Sequence, residues 1–172
     1  YLQITRGVAQ RDHKYPANTV PALVMTAKHL HFKDVMSEDG VSAITVADER
    51  WARRDIKTIQ LLANGRAKQK AAEQGAYEAS LVMADGRVSE GSSSNVWIVS
   101  AEGELVTREA SHDILNGITR RSVAQVASER QMKIVNRNFT VADMLNAKEV
   151  FVTSATSVVT PITKIDDTVI AN

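Results

Sequence analysis

The sequence predicts an α+β fold: a strongly twisted, mostly antiparallel sheet with a few helices packed on it. Three observations carry that expectation. Short segments alternate apolar and polar residues, as in Val41-Ser42-Ala43-Ile44-Thr45-Val46. Tight-turn pairs such as Asp85-Gly86 and Glu102-Gly103 separate several of them. Residues 58–74 and 119–130 alone pair sufficient length with the 3.6-residue apolar spacing of a substantial helix.

In order along the chain, residues 1–6 alternate as a strand that Gly7 ends, and residues 8–19, interrupted by Pro16, form a loop. Residues 21–29 form a second strand. The charged stretch 31–40 is a connector and the best candidate for a domain boundary. Residues 41–46 form a strand leading toward Lys57, which then stands at a strand end just before a helix. Along residues 58–74, Ile59, Leu62, Ala67 and Ala71 mark the buried stripe, and Gly75 stops the helix.

Residues 77–83 and 87–90 form a hairpin about Asp85-Gly86. Residues 96–99 continue the sheet, and Glu102-Gly103 turns into residues 104–108. Val123, Val126 and Ala127 define the buried face of the helix at 119–130, and residues 133–139 form a strand. Thr140-Val141-Ala142-Asp143 has the form of a capping box before a short helix. Residues 149–153 and 158–164 are the last clear strands. The chain opens on Tyr1 in mid-pattern and closes on Ile170-Ala171-Asn172 without a cap, so a fragment of a longer protein is expected.

The bulk composition excludes several classes. The 172 residues, 44% hydrophobic and 24% charged, suit a globular protein of one domain or a domain and part of another. A net charge of +1 with dispersed basic residues argues against nucleic acid or an anionic membrane as partner. The sequence contains no cysteine, which removes disulfides, thiolate metal sites and a cysteine nucleophile, and fits a cytoplasmic location. No apolar run is long enough to span a bilayer. His29, His31 and His112 lack metal-ligand spacing, so no metal is expected.

Four short segments carry chemistry together. Lys57 supplies an amine. Glu90, leading into Gly91-Ser92-Ser93-Ser94-Asn95, supplies a carboxylate whose neighbours can orient it. Asn116-Gly117-Ile118-Thr119 precedes an amphipathic helix, where unpaired N–H groups and the helix dipole favour an anion. Ser154-Ala155-Thr156-Ser157 is a second small-residue turn able to wrap that anion. Singly, each has a plainer reading: a solvated lysine, a polar turn, an ordinary helix start. An amine, an acid and two phosphate-sized cradles in this order fit pyridoxal 5′-phosphate, which needs a lysine, an acid at its ring nitrogen and backbone donors at its phosphate. Arg11 and His13, in the loop after Gly7, are donors suited to a carboxylate.

Arg6-Gly7-Val8-Ala9-Gln10-Arg11-Asp12-His13, Asp55-Ile56-Lys57, Glu90 to Asn95 and Gly117-Ile118-Thr119-Arg120 resemble the D-amino-acid aminotransferases. These belong to a pyridoxal-phosphate class shared with branched-chain aminotransferases and aminodeoxychorismate lyase. The resemblance covers essentially the whole chain, and the Arg-Gly and Arg-x-His elements point to the D-amino-acid branch. It implies Lys57 as the Schiff-base lysine and Glu90 as partner of the pyridine nitrogen. It also implies Ile118 and Thr119 on the phosphate, with Ser154, Ala155 and Thr156 nearby, and Leu115 packed against the ring. Arg11 and His13 correspond to a pair that traps the substrate α-carboxylate from the neighbouring subunit of a homodimer.

The implied fold has two domains, with residues 1–31 the end of the first and residues 32–172 most of the second. The implied reaction passes the amino group of a D-amino acid such as D-alanine to 2-oxoglutarate, giving a 2-oxo acid and D-glutamate. Ala155 departs from the threonine usual in the family, leaving backbone N–H groups, Ser154 or Thr156 to substitute. The family's phosphate-binding arginine and substrate-contacting tyrosine of the first domain have no counterpart in this sequence, so the chain alone is open to being inactive. Branched-chain L-amino-acid transamination, pyruvate elimination and a non-catalytic anion-binding module are the competing expectations.

Overall fold

The computed structural model describes residues 1–29 and 39–170. The connector expected at 31–40, apart from Asp39 and Gly40, lies outside the described residues, as do His31, the expected boundary between 31 and 32, and residues 171–172. The chain divides into two compact units, Tyr1–Phe32 and Lys33–Asn172.

In the first unit, β1 (Leu2–Thr5) pairs antiparallel with β2 (Ala22–Met25), Leu2 opposite Met25. The strand expected over 21–29 is thus four residues long. Gly7 leaves β1 at φ 104°, and a Cβ there would stand 2.1 Å from Val20 O, so only glycine makes this exit. In the loop between the strands, the Arg6 guanidinium lies 3.9 Å from the centroid of the Tyr15 ring.

The second unit is a nine-stranded sheet in the order β5-β4-β3-β10-β9-β6-β7-β8, with β11 on β10. Its strands are β3 (Val41–Ala47), β4 (Glu78–Val82), β5 (Val88–Gly91), β6 (Asn95–Val99), β7 (Leu105–Thr107), β8 (Ile134–Asn136), β9 (Glu149–Ser154), β10 (Val158–Ile165) and β11 (Thr168–Val169). Its helices are α1 (Leu62–Glu73), α2 (Ile118–Glu129) and α3 (Val141–Leu145). Most pairings are antiparallel, but β3 runs parallel to β4 and β10, and β7 parallel to β8. The β3–β4 and β7–β8 pairs are bridged by α1 and α2, because parallel neighbours need a crossover and a helix supplies one. The two ends of the strand order also meet: Val88 N–H donates to Phe139 O at 2.9 Å beside an Arg87–Thr140 bridge, so the sheet curls on itself.

Strand alternation sorts the core. In β6 and β9, Val96, Ile98, Val150 and Val152 enter one apolar cluster with Phe139 and Met144. Trp97 and Phe151 face the other way, opposite one another in register, with parallel rings 5.7 Å apart under α2. Trp97 is fully buried and donates its indole N–H to Thr153 Oγ1 at 3.1 Å. Under α1, Ala67 and Ala71 pack on Ile44, Ala79 and Leu81, so the helix lies close to the sheet through small side chains.

Helix ends follow local chemistry. α1 closes at Gly75 (φ 71°), where Gly75 N–H bonds Ala72 O and Ala76 N–H bonds Ala71 O. It opens four residues later than expected, which leaves Ile59 and Leu62 exposed rather than on the buried stripe. α3 has the expected capping box, with Thr140 and Asp143 satisfying each other's backbone N–H. On α2 the buried stripe runs through Arg120, Val123 and Ala127, while Val126 is half exposed.

Candidate active site

The segment following β3 and the loop before α2 converge on Glu90 at the end of β5. Glu90 is 5% exposed. Arg50 Nη1 donates to Glu90 Oε1, while Asn95 Nδ2 (3.0 Å) and Leu115 N–H (3.1 Å) donate to Oε2. Asn95 Nδ2 also reaches Leu115 O at 2.8 Å, tying β6 to the loop that carries Leu115. Burial pushes the Glu90 carboxyl up to about 7, against the opposing pull of Arg50 and of the Leu115 N–H.

Arg50 is itself gripped by Asp48, through Nε to Oδ1 at 2.9 Å and Nη2 to Oδ2 at 2.8 Å. Ser89 Oγ donates to Asp48 Oδ2 at 2.6 Å, and Arg54 Nε faces the same oxygen at 3.1 Å. Burial works to raise the Asp48 carboxyl, but Arg50 and Ser89 hold it down at about 2. Arg54 continues to Asp113 Oδ1 at 3.4 Å, and Arg108 Nη2 reaches Asp113 Oδ2 at 2.6 Å. Arg54 N–H also bonds His112 O at 2.9 Å, so the segment carrying Lys57 is fastened to the loop before α2.

That loop ends at Gly117, the N-cap of α2. A Cβ on Gly117 would stand 2.4 Å from Asn95 Oδ1, so the residue that orients Glu90 also dictates glycine at the helix entry. No side chain caps α2 and no acid lies in its first turn, which leaves its first backbone N–H groups available to an anion. Thr119 Oγ1 donates to Ser154 O at 3.0 Å and draws the turn after β9 alongside the helix start. Within that turn Ser154 Oγ accepts from Ser157 N–H at 3.1 Å and lies 2.8 Å from Ser157 Oγ. The following Val158 has φ 55°, a left-handed conformation costly for a β-branched residue, which closes the turn tightly.

The structure therefore joins Glu90, Leu115, Ile118, Thr119, Ser154 and Asn95 in one connected neighbourhood, with Ala155 and Thr156 on its exposed turn. Lys57 departs from its expected setting. β3 ends at Ala47 and α1 starts at Leu62, so Lys57 sits in the loop between them, exposed and with its ammonium unpaired among the described residues. A second correction concerns the serines. Ser92 and Ser94 donate to Glu78, a carboxylate 1% exposed on β4, rather than orienting Glu90. The Glu78 carboxylate also accepts from Ala79 N–H at 2.8 Å, and a Cβ on Gly91 would collide with Ser94 Oγ at 2.2 Å. Arg11 and His13 are exposed in the other unit. A depression of about 470 Å³ is lined there by Arg11, Asp12, Lys14 and Tyr15.

Asp48, Arg50, Arg54 and Asp113 were not singled out from the sequence. A signal existed: Asp48 and Arg50 continue the inward parity of Ile44 and Val46 beyond the strand, an acid and a base two residues apart on a face otherwise apolar. Among the described residues there is no cluster able to hold a metal ion, and no helix is long and apolar enough to cross a membrane.

A curled mixed sheet that buries an acid beside an uncapped helix N-terminus defines an α+β protein whose groups suit a ligand with a basic ring and an anionic tail. The family model described as amino-transferase class IV matches residues 1–165. The chain is 44% identical over 166 residues to D-alanine aminotransferase of Bacillus licheniformis, covering 96% of this chain and 58% of that protein. It is 40% identical over 167 residues to D-alanine aminotransferase of Staphylococcus aureus strain N315, with the same coverage. The branched-chain amino acid aminotransferase of Escherichia coli superposes with a TM-score of 0.83 at 22% identity, over 99% of this chain and 58% of that one, and shares the fold. The branched-chain aminotransferase of Thermoproteus uzoniensis, solved with norvaline, superposes at 0.66 with 28% identity, over 87% and 50%. The chain belongs to the class IV aminotransferases, and it spans 58% of the length of the D-alanine aminotransferases it matches.

Proposed function

We propose that this protein is a pyridoxal-phosphate-dependent aminotransferase of D-amino acids. On this reading it passes the amino group of a donor such as D-alanine to 2-oxoglutarate, yielding a 2-oxo acid and D-glutamate. It works as a homodimer in the cytoplasm, and residues 1–31 belong to a first domain with residues 32–172 in a second. The observation that carries the reading is the linkage of a buried acid, Glu90, through Asn95, Leu115 and Gly117 to the uncapped start of α2.

The residues present fit the cofactor's chemistry. Glu90 is the buried carboxylate for a ring nitrogen, and the N–H groups of Ile118 and Thr119 suit the phosphate. Because the Thr119 hydroxyl donates to Ser154 O, the exposed Thr156 hydroxyl, 3.3 Å from Ser154 Oγ, is suited to replace the one missing at Ala155. Leu115 offers its half-buried side chain to the ring and its N–H to Glu90. When bound, the cofactor supplies an aldehyde that takes up amines and a protonated ring that draws off the electrons released at the substrate Cα. Lys57 Nζ would be the attachment point and would carry the proton to and from Cα, a role suited to an amine with no ion pair among the described residues. Arg11 and His13 bind the α-carboxylate.

Borohydride reduction of the protein with pyridoxal phosphate, followed by peptide mass mapping, should place one adduct on Lys57. Turnover should favour D-alanine over L-leucine. The likeness to the branched-chain aminotransferase of Thermoproteus uzoniensis favours one rival, transamination of L-valine and L-leucine. A preference for those substrates would replace the D-amino-acid reading while keeping the cofactor site.

A further inference from the structure

We infer that Arg50 is a positioning residue for the reaction: anchored on Asp48, it holds Glu90 aimed and charged for the cofactor's ring nitrogen. This rests on the function proposed above and adds to it a pair of residues that act through Glu90.

The geometry is specific. Asp48 occupies the Nε and Nη2 edge of the guanidinium, which leaves Nη1 for Glu90 Oε1. The planar fork is therefore fixed by one acid while it serves the other, a division a lysine ammonium cannot reproduce. Arg50 Nη2 also lies 3.3 Å from Ser89 Oγ, and Arg50 N–H bonds Asp48 Oδ1 at 3.1 Å. The side chains of Arg50, Asp48 and Glu90 are 8%, 0% and 7% exposed, so water does little of this work. On the other Glu90 oxygen, Asn95 and Leu115 N–H complete the grip. Three segments thus hold one carboxylate: the stretch after β3, the start of β6 and the loop before α2.

The charges around Glu90 explain why an arginine is needed. Burial favours its neutral form and Asp48 adds to that, while Arg50 and the buried Arg120 favour the anion. Arg50 offsets enough of the burial for the group to titrate near neutrality. A protonated ring nitrogen, as a further positive partner, then completes ionisation. Without Arg50 the burial of Glu90 is less opposed, so the carboxyl becomes a weaker partner for a protonated ring nitrogen.

The test compares pyridoxal phosphate with its 1-deaza analogue, in which carbon replaces the ring nitrogen, by equilibrium binding to the unaltered protein and to Arg50→Met. Arg50→Met should weaken the natural cofactor by about tenfold or more, the change in ionised fraction that one pKa unit represents, and leave the analogue's affinity unchanged. Should Arg50→Met fail to fold, Arg50→Lys serves in its place. It keeps the charge but loses the two-point hold on Asp48, so it should weaken the natural cofactor by a smaller factor and again spare the analogue. Equal losses for both ligands, or no loss for either, would overturn the role assigned to Arg50. No borohydride-trapped adduct in the unaltered protein would overturn the functional reading and this inference with it. An adduct without discrimination in the variants overturns the inference alone.

Discussion

Glu90 and the Arg11–His13 loop are placed by opposite means. Glu90 is buried and takes donors from three segments, so the fold alone sets its position. Arg11 and His13 are exposed on a loop between two short strands, and His13 N–H donates to the neighbouring Asp12 carboxylate at 2.6 Å. The difference teaches what burial demands of a polar group. A carboxylate held away from water needs a preset surround of donors, because a buried polar group without partners is costly. Exposed groups such as Arg11 and His13 keep their hydration and need no such surround.

The sharpest way to break this comparison is to remove the cation from the buried cluster. Arg50→Met should destabilise the protein by about 3–5 kcal/mol in denaturant melts near neutral pH, since buried Asp48 loses the two-point grip of the guanidinium and Glu90 loses its cation. A cost near zero would mean that the cluster is wet and the contrast with the loop is illusory. Gly117→Ala should cost about 1–3 kcal/mol, because the new methyl collides with Asn95 Oδ1 unless the helix entry shifts. It should also loosen Glu90, which a drop in cofactor affinity would register.

A distant control sharpens the contrast. Thr140→Ala removes the cap of α3 and should cost about 1 kcal/mol without altering cofactor binding. At the small end, Arg11→Ala and His13→Ala should leave the melting midpoint unchanged. Each should still lower kcat/KM for D-alanine by about tenfold or more, the scale of a lost charge-assisted hydrogen bond.

The same contrast has a pH signature. The Glu90 carboxyl is raised from 4.5 to about 7 in the fold, so the folded state binds the extra proton between those values. Its contribution to stability is present below about 4.5 and is lost as pH rises through 7. Asp48 acts in the other direction: lowered from 3.8 to about 2, its contribution is present above 3.8 and lost as pH falls through 2. Denaturant midpoints across pH 4–8 should fall for the unaltered protein with cofactor absent and flatten in Glu90→Gln.

Much of the architecture was legible because it is local. Asp85-Gly86 marks a real turn, Gly86 having φ 82°, and Thr140 with Asp143 forms the box its spacing promised. Glu90 and the α2 start were legible as motifs, since their chemistry is written within a few residues. What stayed hidden is long-range. That β3 would lie between β4 and β10, both parallel to it, depends on β10 returning to pair with it from more than a hundred residues away. Ser92 and Ser94 stand beside Glu90 in sequence but turn to Glu78 on the neighbouring strand, because the strand pairing brings Ser80 opposite Gly91. Arg53 and Arg54 are neighbours in sequence with different surroundings. Arg53 is exposed and bonded to half-buried Asp55, while Arg54 is drawn inward to Asp48 and Asp113.

The most direct measurement is the titration of the Glu90 side-chain carboxyl followed by carbon-13 NMR, with and without pyridoxal phosphate. A midpoint near 7 is expected for the protein alone, moving down when the cofactor binds. A midpoint at the ordinary 4.5, or one indifferent to the cofactor, would contradict it.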